Sequence, residues 1–184
     1  MPCSSEQSHA RTRANSPHAR LFPLAAAPAT GEAGAMSRHD LRLGRRSIIG
    51  RHYLLTFVCR ARHRAFDNPE AVTAVRTALA QSDEQAVTCS TAWVIMPDHV
   101  HWLFELQDKT LGFVAQRFKS ATAFRVGRQG GHPAGLWGPA YHDHAIRSDE
   151  SLRRHARYIV ANPVRKGLSE QVGEYPHAWC RWAL

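Results

Sequence analysis

Two histidines stand one residue apart in the run from Ala92 to Leu106, "AWVIMPDHVHWLFEL". In an extended chain residues i and i+2 face the same side, so His99 and His101 present two imidazoles together while Val100 and Trp102 point the other way. Two ring nitrogens at that spacing can bind one metal ion. The same spacing also serves two half-buried histidines bonded to carbonyls. A third histidine at position 103 would suggest a histidine-triad nucleotide hydrolase, and Leu103 excludes that reading.

A second pair follows downstream in "RYIVANP", where Tyr158 and Asn162 are four residues apart. On a helix such residues share a face. Tyr158 offers a phenol, and Asn162 an amide oxygen able to join two imidazoles around a metal. Pro163 marks the end of the helix, because the residue before a proline resists helical angles. A tyrosine at this spacing is equally at home in an amphipathic core.

The elements that position these pairs alternate along the chain. "HYLLTFVCR" (52–60) is rich in strand formers. "NPEAVTAVRTALAQSDE" (68–84) carries Val72, Val75 and Leu79 at helical spacing after a proline suited to a first turn. "AVTCSTAWVIM" (86–96) and "HVHWLFEL" (99–106) read as strands of a hairpin closed by Pro97-Asp98. Residues 110–129 place Leu111, Val114, Phe118 and Ala121 on one helical face. "GGHPAG" is a loop, and "LWGPAYHDHAIR" (136–147) a last strand with a turn near Gly138-Pro139. Ser148 is positioned to cap a final helix whose Asp149 and Glu150 complement the dipole of its first turn. The order β-α-β-β-α-β-α predicts an α+β protein, an antiparallel sheet with helices packed on it in a ferredoxin-like arrangement.

Residues 1–35 lack periodicity and are rich in Ser, Pro and Ala, so they are expected to be a disordered extension. "LFPLAAAPA" within them is too short and proline-broken for a signal core. Met36 reads as the natural start, with a single domain over 36–184. No apolar run approaches the roughly 20 residues that span a bilayer.

The chain has 24 Lys+Arg against 15 Asp+Glu, a net charge of +9 over 184 residues. Arg45, Arg46, Arg51, Arg60, Arg62 and Arg64 occur with no acid between them, and Leu111–His142 is a second acid-free stretch. Arginine forks pair with phosphates and release counterions from nucleic acid. The four cysteines, Cys3, Cys59, Cys89 and Cys180, lack metal or disulfide-scaffold spacing, which suits a reducing cytoplasm.

"MPDHVHWLFEL", "LWGPAYHDHAIR" and "ARYIVANPVRKGL" together resemble the REP-associated tyrosine transposases, a branch of the HUH single-tyrosine transposase superfamily. The likeness spans roughly residues 41 to 182, with the blocks in the family's order. It implies an HUH nuclease fold, with His99 and His101 as the metal pair, Tyr158 as the nucleophile and Asn162 as the third protein ligand. Pro163, Val164 and Arg165 complete the motif. Many members have Asn where this chain has Asp98, and either suits the turn.

What the resemblance implies is a metal-dependent strand transferase for single-stranded DNA. Its substrate is a hairpin formed by a repetitive extragenic palindrome. Tyr158 attacks a phosphodiester to leave a 5′-phosphotyrosine and a free 3′-OH, and storing the bond energy covalently removes any need for ATP. Two imidazoles and oxygen donors suit Mg²⁺ or Mn²⁺; a closed zinc site needs a fourth ligand, for which His142, His144 and Cys180 are the reserves. Arg45, Arg46, Arg117, Lys119 and Arg165 are candidates for DNA contacts, and Trp137 and Tyr141 for stacking on bases or for the core. His155, one turn before Tyr158, is left outside the catalytic set. Two rivals stay open: a binding protein that holds hairpins without cutting, and a phosphoesterase that uses water in place of Tyr158. The sequence leaves monomer or homodimer undecided.

Overall fold

The computed structural model describes residues 47–128, 135–146 and 149–183. The expected extension 1–35, the start at Met36, Arg45, Arg46 and the Ser148 cap lie outside the described residues. Five strands, β1 (His52–Val58), β2 (Thr88–Met96), β3 (His99–Leu106), β4 (His142–Ala145) and β5 (Ala178–Cys180), alternate with α1 (Pro69–Glu84), α2 (Leu111–Gly127), α3 (Asp149–Val160) and α4 (Asn162–Arg165). The strands form one sheet in the order β4-β1-β3-β2-β5, and every neighbouring pair is antiparallel.

Alternation along the strands divides the sheet into two faces. Tyr53, Leu55, Phe57, Val100, Trp102 and Phe104 point to the side covered by α1 and α2, where they join the larger core with Val75, Leu79, Val114 and Phe118. The Phe57, Phe118 and Trp137 rings meet there at centroid distances of 4.5–5.9 Å. The indole N–H of buried Trp102 donates to Ser90 Oγ at 2.9 Å, which removes the cost of an unpaired donor in an apolar core. Ala92, Val94, Met96 and Leu103 point to the opposite side and pack with Leu152, Ala156 and Ile159 of α3. His99 and His101 share this second face, because they alternate with Val100 and Trp102.

The starts of α1 and α2 carry side-chain caps. Asn68 Oδ1 accepts from Glu70 N at 2.9 Å ahead of Pro69, and Thr110 Oγ1 accepts from Phe113 N at 3.2 Å; each cap contributes about 1 kcal/mol. Among the described residues no helix is long and apolar enough to cross a membrane.

Two sequence expectations change. The strand expected over 136–147 is only His142–Ala145, and Trp137 makes one isolated bridge to Cys59. Pro139 has no N–H to continue the ladder, while Gly138 turns its amide onto Val58 O at 2.9 Å. A Cβ on Gly138 would stand 3.2 Å from that same oxygen, so a side chain here crowds the strand. The sheet also gains β5, whose three residues pair with β2.

Candidate metal and nucleophile site

The hairpin between β2 and β3 places the histidines. Met96 pairs with His99, so Pro97 and Asp98 form the whole turn. Its carbonyls are both used: Asp98 O accepts from Cys59 N at 2.9 Å, and Pro97 O from Phe66 N at 3.0 Å. The segment making these bonds includes Ala61 and Arg62, at φ of 51° and 55°. Consecutive non-glycine residues in the left-handed region are costly and persist only where surroundings impose them. Here the strained turn delivers the Arg62 guanidinium to Asp98 Oδ2 at 3.2 Å.

Both imidazoles are oriented through the same nitrogen. His101 Nδ1 lies 2.8 Å from Thr56 Oγ1, and His99 Nδ1 lies 2.5 Å from Asp98 Oδ1. Neither Nε2 has a hydrogen-bond partner among the described residues. The rings meet edge-on with centroids 4.8 Å apart. A carboxylate on the far nitrogen is how metal-binding histidines are held in one tautomer, and a hydroxyl there fixes the ring's orientation. Burial, the neighbouring His99 and the Arg165 charge push His101 down to about 3, which keeps it neutral and able to ligate. Burial works to raise the Asp98 pKa, but the hydrogen bond and charge of His99 and the pairing with Arg62 outweigh it, and the carboxyl sits below its ordinary range.

The same face is covered by α3, with Tyr158 in its last turn. The helix breaks at Ala161 (φ −85°, ψ −2°) and restarts as α4 with Asn162 and Pro163 in its first turn. Asn162 is buried, whereas Tyr158 is 39% exposed. Arg165 ties the two together. One guanidinium nitrogen donates to the Tyr158 carbonyl at 2.8 Å and also to Asn162 Oδ1, and its Cζ stands 3.9 Å from the centroid of the Tyr158 ring. Asn162 Nδ2 is buried without a partner.

Two neutral-capable imidazoles with free Nε2 atoms and an amide oxygen with a second lone pair make a donor set suited to Mg²⁺ or Mn²⁺, with positions left over for phosphate oxygens. The zinc reserves are not gathered. His142 and His144 lie on one edge strand and Cys180 on the other. Among the described residues no three His, Cys, Asp or Glu side chains stand close enough to hold an ion.

Beside His99 opens a cleft of about 360 Å³ lined by Arg62, Arg64, Lys166, Asp98, Met96 and Leu168. Arg62 is paired with Asp98 and Arg64 with Asp67, and together with Lys166 they line the cleft with cations suited to phosphate oxygens. The sequence displayed Arg62 and Arg64 only as part of a charged cluster, and Lys166 only as a neighbour of Arg165. Thr56 carried no signal of its own, since its role follows from the strand register that sets it opposite His101.

Other expected contacts lie elsewhere. Arg117 and Lys119 are on α2, across the sheet from the histidines. Lys119 Nζ donates to Gly138 O at 2.6 Å, and burial together with the Arg60 charge lowers its pKa. Its ammonium holds the loop at Gly138. Arg165, also expected on DNA, is engaged by Tyr158 and Asn162. Trp137 is buried with its N–H on Thr122, and Tyr141 packs partly buried against the same core; both side with the core alternative. His155 stacks on His144 at 5.2 Å, with Nδ1 donating to Ser151 O at 2.7 Å.

The chain resembles known proteins in sequence and in fold. A family model described as "Transposase IS200 like" matches residues 47–162. A Haemophilus influenzae protein assigned to the REP-associated tyrosine transposases is 29% identical over 137 residues, covering 68% of this chain and 77% of that protein. An Escherichia coli K12 REP-associated tyrosine transposase is 34% identical over 88 residues, 46% of this chain and 50% of its own length. Among solved structures, a REP-associated tyrosine transposase bound to a REP hairpin superposes with a TM-score of 0.63 at 26% identity, covering 73% of this chain and 79% of that one.

Proposed function

The chain belongs to the IS200-like transposase family, and from that premise we propose that it cuts and rejoins single-stranded DNA at the foot of a REP hairpin through Tyr158. The observation that carries this reading is the meeting on one sheet face of paired histidines, both turned by Nδ1 partners, with the helix end that bears Tyr158 and Asn162. The relatives named as REP-associated tyrosine transposases, one of them solved on a REP hairpin, support the choice of substrate.

The chemistry follows from the groups present. The Tyr158 oxygen attacks the scissile phosphorus, a phosphorus–oxygen bond to the phenol forms, and the bond to O3′ breaks. The phenolic proton is lost and the departing 3′ oxygen gains one. The products are a 5′-phosphotyrosine and a free 3′-OH, and attack by a 3′-OH reverses the step without ATP. His99, His101 and Asn162 would hold Mg²⁺ or Mn²⁺, which when bound supplies positive charge to the scissile phosphate and the leaving oxygen. Arg62, Arg64 and Lys166 line the adjoining cleft and are suited to the strand's neighbouring phosphates.

The test is cleavage of an end-labelled REP hairpin with a single-stranded tag, in Mn²⁺, by wild type and Tyr158→Phe, resolved on a denaturing gel. A protein–DNA adduct with wild type and none with the variant is expected. Cutting by both proteins would make water the nucleophile. Binding without cutting by either would make the protein a hairpin-binding module.

A further inference from the structure

We infer that Arg165 is the positioning residue for Tyr158, clamping the phenol ring and the Asn162 amide in one arrangement instead of contacting DNA. This rests on Tyr158 being the nucleophile, as proposed above. Tyr158 is 39% exposed, so little core packing restrains its ring. In-line attack demands that the oxygen be held close to its productive position, since a misplacement of about 1 Å costs on the order of 10²-fold in rate. A restraint must therefore come from a neighbour.

Arg165 provides it from three directions. Its Cζ lies 3.9 Å from the Tyr158 ring centroid, within stacking range. Its Nη2 donates to the Tyr158 carbonyl at 2.8 Å, so the guanidinium is anchored to the backbone of the residue it covers. The same nitrogen donates to Asn162 Oδ1, which fixes the amide of the candidate metal ligand relative to the ring. Only a planar, permanently charged fork can stack and donate at once; an ammonium is a point charge without a face. Because these contacts are made within the protein, the guanidinium is already partnered when DNA arrives.

The sequence places Arg165 seven residues after Tyr158. On a straight helix that separation is about 10.5 Å along the axis, and the interruption at Ala161 changes it.

The experiment compares wild type, Arg165→Ala and Arg165→Lys in three measurements. These are single-turnover cleavage at saturating enzyme with Mn²⁺, hairpin affinity across a salt series, and the proton shifts of the Arg165 side chain by NMR. Both variants are expected to cut about 10²-fold more slowly, with affinity and salt slope unchanged. The Arg165 Hδ and Nε–H resonances of wild type are expected to lie upfield from the ring current and to return to ordinary values in Tyr158→Leu. A weaker hairpin affinity with a salt slope reduced by about one would make Arg165 a phosphate contact and overturn the inference. Unchanged cleavage, or wild-type shifts at ordinary values, would overturn it too. The shifts need no variant of Arg165 to fold. If wild type cuts nothing, the strand-transfer reading fails, while the shifts still decide whether Arg165 holds Tyr158.

Discussion

Thr56 Oγ1 stands 2.8 Å from Nδ1 of His101, a contact that leaves Nε2 as the ring nitrogen facing away from the hydroxyl. With Nδ1–H donating to the hydroxyl, Nε2 carries the free lone pair. His99 is held in the same sense by Asp98. Each histidine thus has its own orienting partner, one from the neighbouring strand and one from the hairpin turn.

Replacing Thr56 by Val keeps the β-branched shape and removes the hydroxyl. Thr56→Val is expected to weaken Mn²⁺ binding by about 10- to 100-fold while the strand stays paired. Titration followed by the electron paramagnetic resonance signal of free Mn²⁺ measures this without any DNA. Unchanged affinity would show that the hydroxyl does not orient a ligand.

Asp98 is tested by a pair of substitutions. Its Oδ1 meets His99 at 2.5 Å and its Oδ2 meets Arg62 at 3.2 Å. Asp98→Asn retains an oxygen acceptor for the imidazole N–H, whereas Asp98→Ala leaves the ring unheld. The alanine variant is expected to lose about 10-fold or more in Mn²⁺ affinity, with the asparagine variant close to wild type. Equal losses in the two would mean that the carboxylate charge, and not the hydrogen bond, matters.

How much of this was legible in the sequence differs from residue to residue. The histidine pair was, because a period of two and a Pro-Asp turn place both rings on one face without any knowledge of the neighbouring strands. Tyr158 and Asn162 have the spacing of one helical face, but the structure divides them between α3 and α4, and Pro163 lies in the first turn of α4 instead of following a helix end. The partners of those residues were not legible. Thr56 meets His101 through strand register, and register depends on the hydrogen-bond pairing of strands distant in sequence. Arg165 reaches Tyr158 across a helix break at Ala161, two residues before Pro163, beyond which the sequence had suggested no further helix. The edge strand β5 escaped for a similar reason: three residues have no period, and their pairing is secured by neighbours. Tyr175 Oη donates to Ile95 O at 3.0 Å, and Arg181 N to Thr91 O at 2.9 Å.

Charge placed cations on both faces of the sheet. Arg117 occurs in an acid-free stretch, yet it stacks over Phe113 at 6.0 Å on the helix layer opposite the histidines. Arg117→Ala is expected to leave the single-turnover cleavage rate at saturating hairpin within about two-fold of wild type, as for a surface change remote from the site. A larger drop in that rate would mean that the DNA engages both faces of the sheet during the chemical step.

Stability at acid pH is expected to depend on Asp83, a carboxylate far from the site. It accepts from Thr88 Oγ1 at 2.6 Å and from Ser90 N at 3.1 Å, where α1 ends against β2. Burial raises its pKa despite those bonds and the Arg181 charge. The folded protein therefore binds this proton more tightly than the unfolded chain does. The resulting contribution to stability is fully present below the ordinary aspartate value of about 3.9, and is lost as pH rises through the folded value. Asp83→Asn has no such titration and keeps an oxygen acceptor. Urea unfolding of both proteins at stepped pH should show wild type losing stability relative to the variant as pH rises through that window. A relative gain for wild type over the same steps would mean that the hydrogen bonds outweigh burial and hold Asp83 as the anion.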